Sequence, residues 1–162
     1  MGRRGRKYAR DTTVTVSSSR NEIQKILERW GAKQMQWSDD FENGKAVLRF
    51  LWWHQEVPFM ARFELNVQTE TDLRDEAVDL RNGQFSQIKY NKLAKRRGMS
   101  EHRELFLLLK AMFVAVDAGI IKAEQLLLPF LEDQTGAIVS DVVLPHLAKL
   151  NSGSAKLLVG KR

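Results

Sequence analysis

The stretch Thr12–Gly31, TTVTVSSSRNEIQKILERWG, most constrains what this chain can fold into. Thr12, Thr13, Val14, Thr15 and Val16 form a β-branched run. Such side chains lose rotamer freedom in a helix and fit a pleated surface, so the run predicts a strand. Ser19 then opens a Ser-x-x-Glu capping box with Glu22. Ile23, Ile26, Leu27 and Trp30 follow at helical spacing, with Lys25, Glu28 and Arg29 off that stripe. Gly31 stands where a helix wants a left-handed residue after its last turn. Start, stripe and stop therefore predict a helix from Ser19 to Trp30, packed through Ile23, Leu27 and Trp30.

Three segments downstream alternate with period two. Lys33–Trp37 puts Met35 and Trp37 on one side and Gln34 and Gln36 on the other. Ser38–Gly44 ends in Asn43-Gly44, a strong hairpin signal. Lys45–Trp53 carries apolar residues on both faces, which predicts a central strand. Val57–Leu65 contains Pro58, which lacks a ladder donor and suits a sheet edge or a strand start.

Asn66–Gly83 is acidic and weakly periodic, and reads as a long loop with one helical turn near Leu73–Leu80. Gln84–Arg97 predicts a basic helix stopped by Gly98. Ser100 then suits the N-cap of a new helix, Glu101–Asp117, whose Leu, Phe, Met and Val content marks it as the buried spine. A short helix Lys122–Leu131, a turn at Gln134–Gly136, an extended Ala137–Val139 and a last helix Asp141–Leu150 complete the pattern.

The expected fold is α+β: a small, mostly antiparallel sheet in β-α-β-β-β order, packed by helices and followed by a C-terminal helical part. The expected organisation is a disordered basic arm over residues 1–11, one domain over 12–150 and a flexible tail over 151–162. At 162 residues the chain can bury a single real core.

Parts of the chain resemble a family of small, uncharacterised proteins encoded by tailed bacteriophages. The likeness is carried by Tyr8-Ala9-Arg10-Asp11-Thr12-Thr13-Val14, Ser19-x-x-Glu22-Ile23 and Arg29-Trp30-Gly31-Ala32. It returns at Leu109-Lys110-Ala111, Val116-Asp117-Ala118-Gly119-Ile120 and Gly136-x-x-Val139, and is weaker across Asn66–Gly98. The resemblance implies a phage source and a role in the host cell cytoplasm during infection. It implies no activity.

Chemistry is sparse. There are no cysteines, which removes disulfides, zinc thiolates and a thiol nucleophile. His54, His102 and His146 lack metal-ligand spacing, and no phosphate-binding glycine motif or nucleophile elbow occurs. No apolar run reaches the roughly 18 residues of a membrane span, and no secretory signal is expected. The turn residues Asp39, Asp40 and Glu42 suit Asx hydrogen bonds better than a metal. No catalytic residue, metal or cofactor is expected.

Charge is the stronger signal. The net charge is +6, with 26 Lys and Arg against 20 Asp and Glu. The cations cluster: Arg3, Arg4, Arg6, Lys7 and Arg10 in the arm, then Lys89, Lys92, Lys95, Arg96 and Arg97. Neutralising phosphates with such clusters releases counterions. A sheet exposing Trp37, Trp53 or Arg49 could add to the same surface, with aromatic faces on which unpaired bases stack. The leading expectation is a non-enzymatic phage accessory protein that binds nucleic acid through these cations. A protein-interaction module is the alternative, either a host-takeover inhibitor or a structural adaptor, and a metal-dependent nuclease using the Asp39–Glu42 turn is the third. A host or phage protein partner and the oligomeric state stay open.

Overall fold

The structure is a computed structural model describing Ala9 and residues 12–54, 56–66, 73–74, 76–79 and 82–151. The elements run α1 (Val16–Arg29), β1 (Gln34–Asp40), β2 (Lys45–His54), β3 (Val57–Asn66), α2 (Gln87–Asp117), α3 (Ala123–Leu127), a 3-10 turn (Leu128–Phe130) and α4 (Val139–Asn151). This is an α+β fold. The strand order is β1-β2-β3, antiparallel throughout, so β2 is central as its two-sided apolar pattern requires. Expectations for the arm and the tail fall outside the described residues, apart from Ala9 and Asn151, where α4 ends.

The predicted first strand does not form. Thr12–Thr15 lies outside any strand, and the helix begins at Val16. Thr15, not Ser19, is the N-cap: its hydroxyl accepts from the Ser18 N–H at 3.1 Å. The β-branched run favours extended backbone at the cap, and the helix claims the rest. The three-stranded sheet therefore follows α1 in α-β-β-β order. Ser19 lies one turn inside α1, fully buried on the same stripe as Ile23 and Leu27. Gly31 ends the helix with φ +83°, a conformation that disfavours a side chain.

The register explains the core. Leu48 pairs with Phe63 and Phe50 with Ala61 across β2–β3, while Trp37 and Met35 oppose Leu48 and Phe50 from β1. All project onto the sheet face covered by α1 and α2. There they join Ile23, Leu27, Leu105, Phe106, Leu109 and Phe113 in one core. Stacked rings run through it, Trp30 on Phe113 and Phe63 on Phe130, both at 4.3 Å between centroids. Burying such side chains contributes about 1.5–3 kcal/mol each, before chain entropy is counted.

The hairpin after β1 is shorter than its sequence suggests. Asp39 and Asp40 belong to the strand, and Phe41–Gly44 makes the turn. Asp40 caps that turn, accepting from the Asn43 backbone at 2.9 Å and side chain at 2.7 Å.

The largest correction concerns α2. The predicted basic helix and apolar helix are one helix of 31 residues, capped by Ser86. Gly98 and Ser100 sit inside it, and Glu101 is an interior residue rather than a first-turn one. The acidic connection before α2 is anchored: Leu73 and Ala77 are buried, and Val78 bridges Phe85. Only Leu73 and Arg74 of the expected turn are helical among the described residues.

Beyond α2, the helix expected over Lys122–Leu131 is a short α-helix followed by the 3-10 turn. Glu132 N–H donates to the Met60 carbonyl at 2.8 Å, so the chain runs along the open edge of β3 before α4 begins. The side chains from Asp141 to Lys149 of α4 are exposed. No helix among the described residues is long and apolar enough to cross a membrane.

Candidate nucleic-acid interface

The basic half of α2 is a consequence of helix length. The buried residues of α2 begin at His102 and end at Phe113. Gly98 meets α1 at its first residue: a Cβ built on Gly98 would stand 3.7 Å from Val16 Cγ2. Residues 87–97 therefore have no α1 beside them, a projection of about 16 Å at 1.5 Å per residue. Along it Lys89, Lys92, Lys95 and Arg96 share one side, because they recur at helical spacings of three to four.

Their partners differ. Lys89 Nζ donates to the Val78 carbonyl at 2.7 Å, and Arg97 pairs with Glu76. Lys92, Lys95 and Arg96 are exposed and form no ion pair with a described residue. These three are the available cations of the cluster.

The described chain that follows the arm lies at the same end of the molecule. The chain enters α1 through Thr12–Thr15, immediately before Val16, the α1 residue that approaches Gly98. Ala9 is held near this entry, its carbonyl accepting from the Thr12 N–H at 3.1 Å. Arg3, Arg4, Arg6, Lys7 and Arg10 themselves lie outside the described residues. Their point of attachment is thus next to the basic half of α2, although the two clusters are some eighty residues apart in sequence.

Arg49 does not join them. It lies on the outer sheet face opposite Arg62, and Glu132 pairs with both, Arg49 Nε 3.0 Å and Arg62 Nη1 3.5 Å from Glu132 Oε1, while Glu64 pairs with Arg62 as the second carboxylate. Trp53 is 45 % exposed, so it is the open aromatic of β2, whereas Phe50 is buried and Trp52 packs against Phe59. Trp37 is covered by the Arg20 guanidinium, 4.4 Å from its ring centre.

That Arg20 belongs to a cluster that spacing in the sequence does not reveal. It donates through Nη1 to Asp39 Oδ2 at 3.0 Å and through Nε to His102 Nε2 at 3.1 Å. His102 Nδ1 is 2.8 Å from the Gly98 carbonyl. The backbone oxygen can only accept, so Nδ1 carries the proton and Nε2 is the acceptor. Burial, first of all, lowers the His102 pKa, and the Arg20 charge adds to the effect. Both ring nitrogens are occupied, so the cluster is a latch joining α1, β1 and α2. His102 was expected at a helix start, but it is buried mid-helix. His146 lies on exposed α4, and His54 ends β2.

The acidic turn is similarly committed. Asp39 is held by Arg20, and the Asn43 side chain and backbone lower the Asp40 pKa. Among the described residues no three His, Asp or Glu side chains could hold a metal ion together.

A groove of about 280 Å³ lies between α1 and α2, floored by Ile26, Trp30, Phe106 and Phe113 and rimmed by Lys25 and Lys110. Comparison with protein families, curated proteins and solved structures finds no match to this chain.

Proposed function

We propose that this protein binds nucleic acid without catalysis, through the basic arm and the exposed N-terminal half of α2. The observation that supports this reading is the approach of Val16 to Gly98, near enough that a Cβ on Gly98 would stand 3.7 Å from Val16 Cγ2. It ties the arm's attachment to the end of the molecule where Lys92, Lys95 and Arg96 have no acidic partner among the described residues. A helix that carries cations past the edge of its own core can follow a phosphate backbone without clashing with the domain behind it. The support for this reading is charge, so the binding proposed is to the phosphate backbone. Within the setting that the phage resemblance implies, this is an accessory protein acting on nucleic acid in the host cytoplasm.

The test is fluorescence anisotropy with labelled duplex and single-stranded DNA and RNA at rising salt. Micromolar or tighter binding is expected at low salt, weakening steeply as salt rises. Replacing Lys92, Lys95 and Arg96 together by Ala should reduce the slope of log K against log salt by about 2–3, at 0.7–0.9 per phosphate contact. Removing residues 1–10 should weaken binding further. Absence of binding at low salt, or binding indifferent to both changes, overturns the proposal.

A further inference from the structure

The outward side of α2 carries a second pattern that the core does not use. Leu107, Ala111, Val114 and Ala118 recur at spacings of four, three and four, the seam of a helix pair. The core residues Leu105, Leu109, Met112 and Phe113 occupy the opposite side of the helix. All four seam residues are exposed, Leu107 at 39 % and Val114 at 57 %. Leu108, 47 % exposed, and the half-exposed Ala115 flank the seam on one side. Lys110 and Asp117 flank it on the other, and neither forms an ion pair with a described residue.

We infer that this face of α2 pairs with the same face of a second copy of the chain, antiparallel, about a two-fold axis between Ala111 and Val114. The occupant follows from self-complementarity. Antiparallel pairing about that point sets Leu107 against the partner's Ala118 and Val114 against the partner's Ala111. Large side chains meet small ones at every step, as interdigitation requires. The same operation sets Leu108 over the partner's Ala115. It brings Lys110 beside the partner's Asp117, and by symmetry Asp117 beside the partner's Lys110. Two opposite-charge pairs thus flank an apolar seam, which is how flanking positions set orientation in helix pairs. A parallel pair would instead oppose Leu107 to Leu107 and lay the Lys110 and Asp117 flank against the partner's Leu108 and Ala115, leaving both charges unmatched against apolar side chains. The seam spans about 16 Å of helix, short of a permanent interface, so the dimer is reversible, with a dissociation constant on the order of micromolar.

Sedimentation velocity over a concentration series of the full chain reads the association directly, and it is independent of nucleic-acid binding. A monomer–dimer equilibrium is expected. Lys110→Glu and Asp117→Lys should each weaken it by about tenfold, and the double variant should restore it, because the swapped charges attract again. Val114→Glu should abolish it. Each substitution is at an exposed position, so thermal unfolding of the monomer should be unchanged and a folding defect is separable. A monomer at every soluble concentration overturns the inference. So does a dimer that survives Val114→Glu but is lost on Leu147→Glu, which would assign association to α4. Single charge variants without effect, or no rescue in the double variant, overturn the antiparallel pairing.

Discussion

The two halves of α2 share one backbone and almost nothing else. From His102 to Phe113 the helix buries Leu105, Phe106, Leu109, Met112 and Phe113 against the sheet and α1. From Gln87 to Arg97 it buries no side chain; Ile88 is 84 % exposed, and the polar positions are Lys, Arg, Gln and Asn. The first half cannot be held by its own propensity, since a helix of about eleven residues is marginal alone. It is helical because the buried half nucleates it and the Ser86 cap, with Lys89 and Arg97 tied to residues 76–78, closes its free end. A core can therefore stabilise a surface it does not contact, by extending a helix through it.

This contrast can be broken most sharply at Leu109, which is fully buried. Leu109→Ala should cost roughly 2–5 kcal/mol in urea unfolding, whereas Lys92→Ala should change stability by less than about 0.5 kcal/mol. Equal effects would mean that the halves are not energetically distinct.

Gly98, at the junction, gives the next effect. It is helical, and an added Cβ would meet only Val16 Cγ2, at ordinary van der Waals distance. Gly98→Ala should raise the melting temperature, by a gain of about 1 kcal/mol or slightly less. A loss instead would show that the junction must bend.

The smallest effect belongs to the latch beside that junction. The folded-state pKa of His102 lies below the usual 6.5, chiefly through burial. On acidification the unfolded chain therefore takes up this proton first. The His102 contribution is fully present above pH 6.5 and is lost as pH falls from there through the folded pKa. Protonated Nε2 can no longer accept from Arg20, so Arg20 must move. Chemical denaturation from pH 7 down to pH 5 should show this loss of stability, and His102→Gln should flatten that window. An unchanged slope in the variant would remove His102 as its source. Asp40 and Asp133, whose pKa values are lowered by hydrogen bonds, act only in the lower carboxylate range.

Period-two alternation made β2 and β3 readable almost to the residue, because each pairs with its nearest neighbour in sequence. Local stop and start signals misled in two places. Ser19-x-x-Glu22 has the composition of a capping box, yet Thr15 is an equally competent cap, and the core stripe of Ile23 and Leu27 extends back to Ser19. Its hydroxyl is buried without a hydrogen-bond partner among the described residues, a cost that packing overrides. Gly98 and Ser100 look like a boundary, but continuity through them is favoured by the His102–Gly98 bond and by α1 packing at Val16. At the candidate interface, all the cations were visible as letters. Which of them are spent was not: Glu132 and Glu76, distant in sequence, neutralise Arg49 and Arg97.

The sequence by itself determined the three strands, the amphipathic α1 and the two clusters of positive charge, because periodicity and charge are local properties. Tertiary structure decided that thirty-one residues form one helix, that the start of α1 approaches it at Gly98, where the basic half ends, and that Lys92, Lys95 and Arg96 have no acidic partner among the described residues. The physical reason is that burial and ion pairing are properties of neighbours in space. A glycine, a serine or an arginine carries several local meanings, and packing selects one.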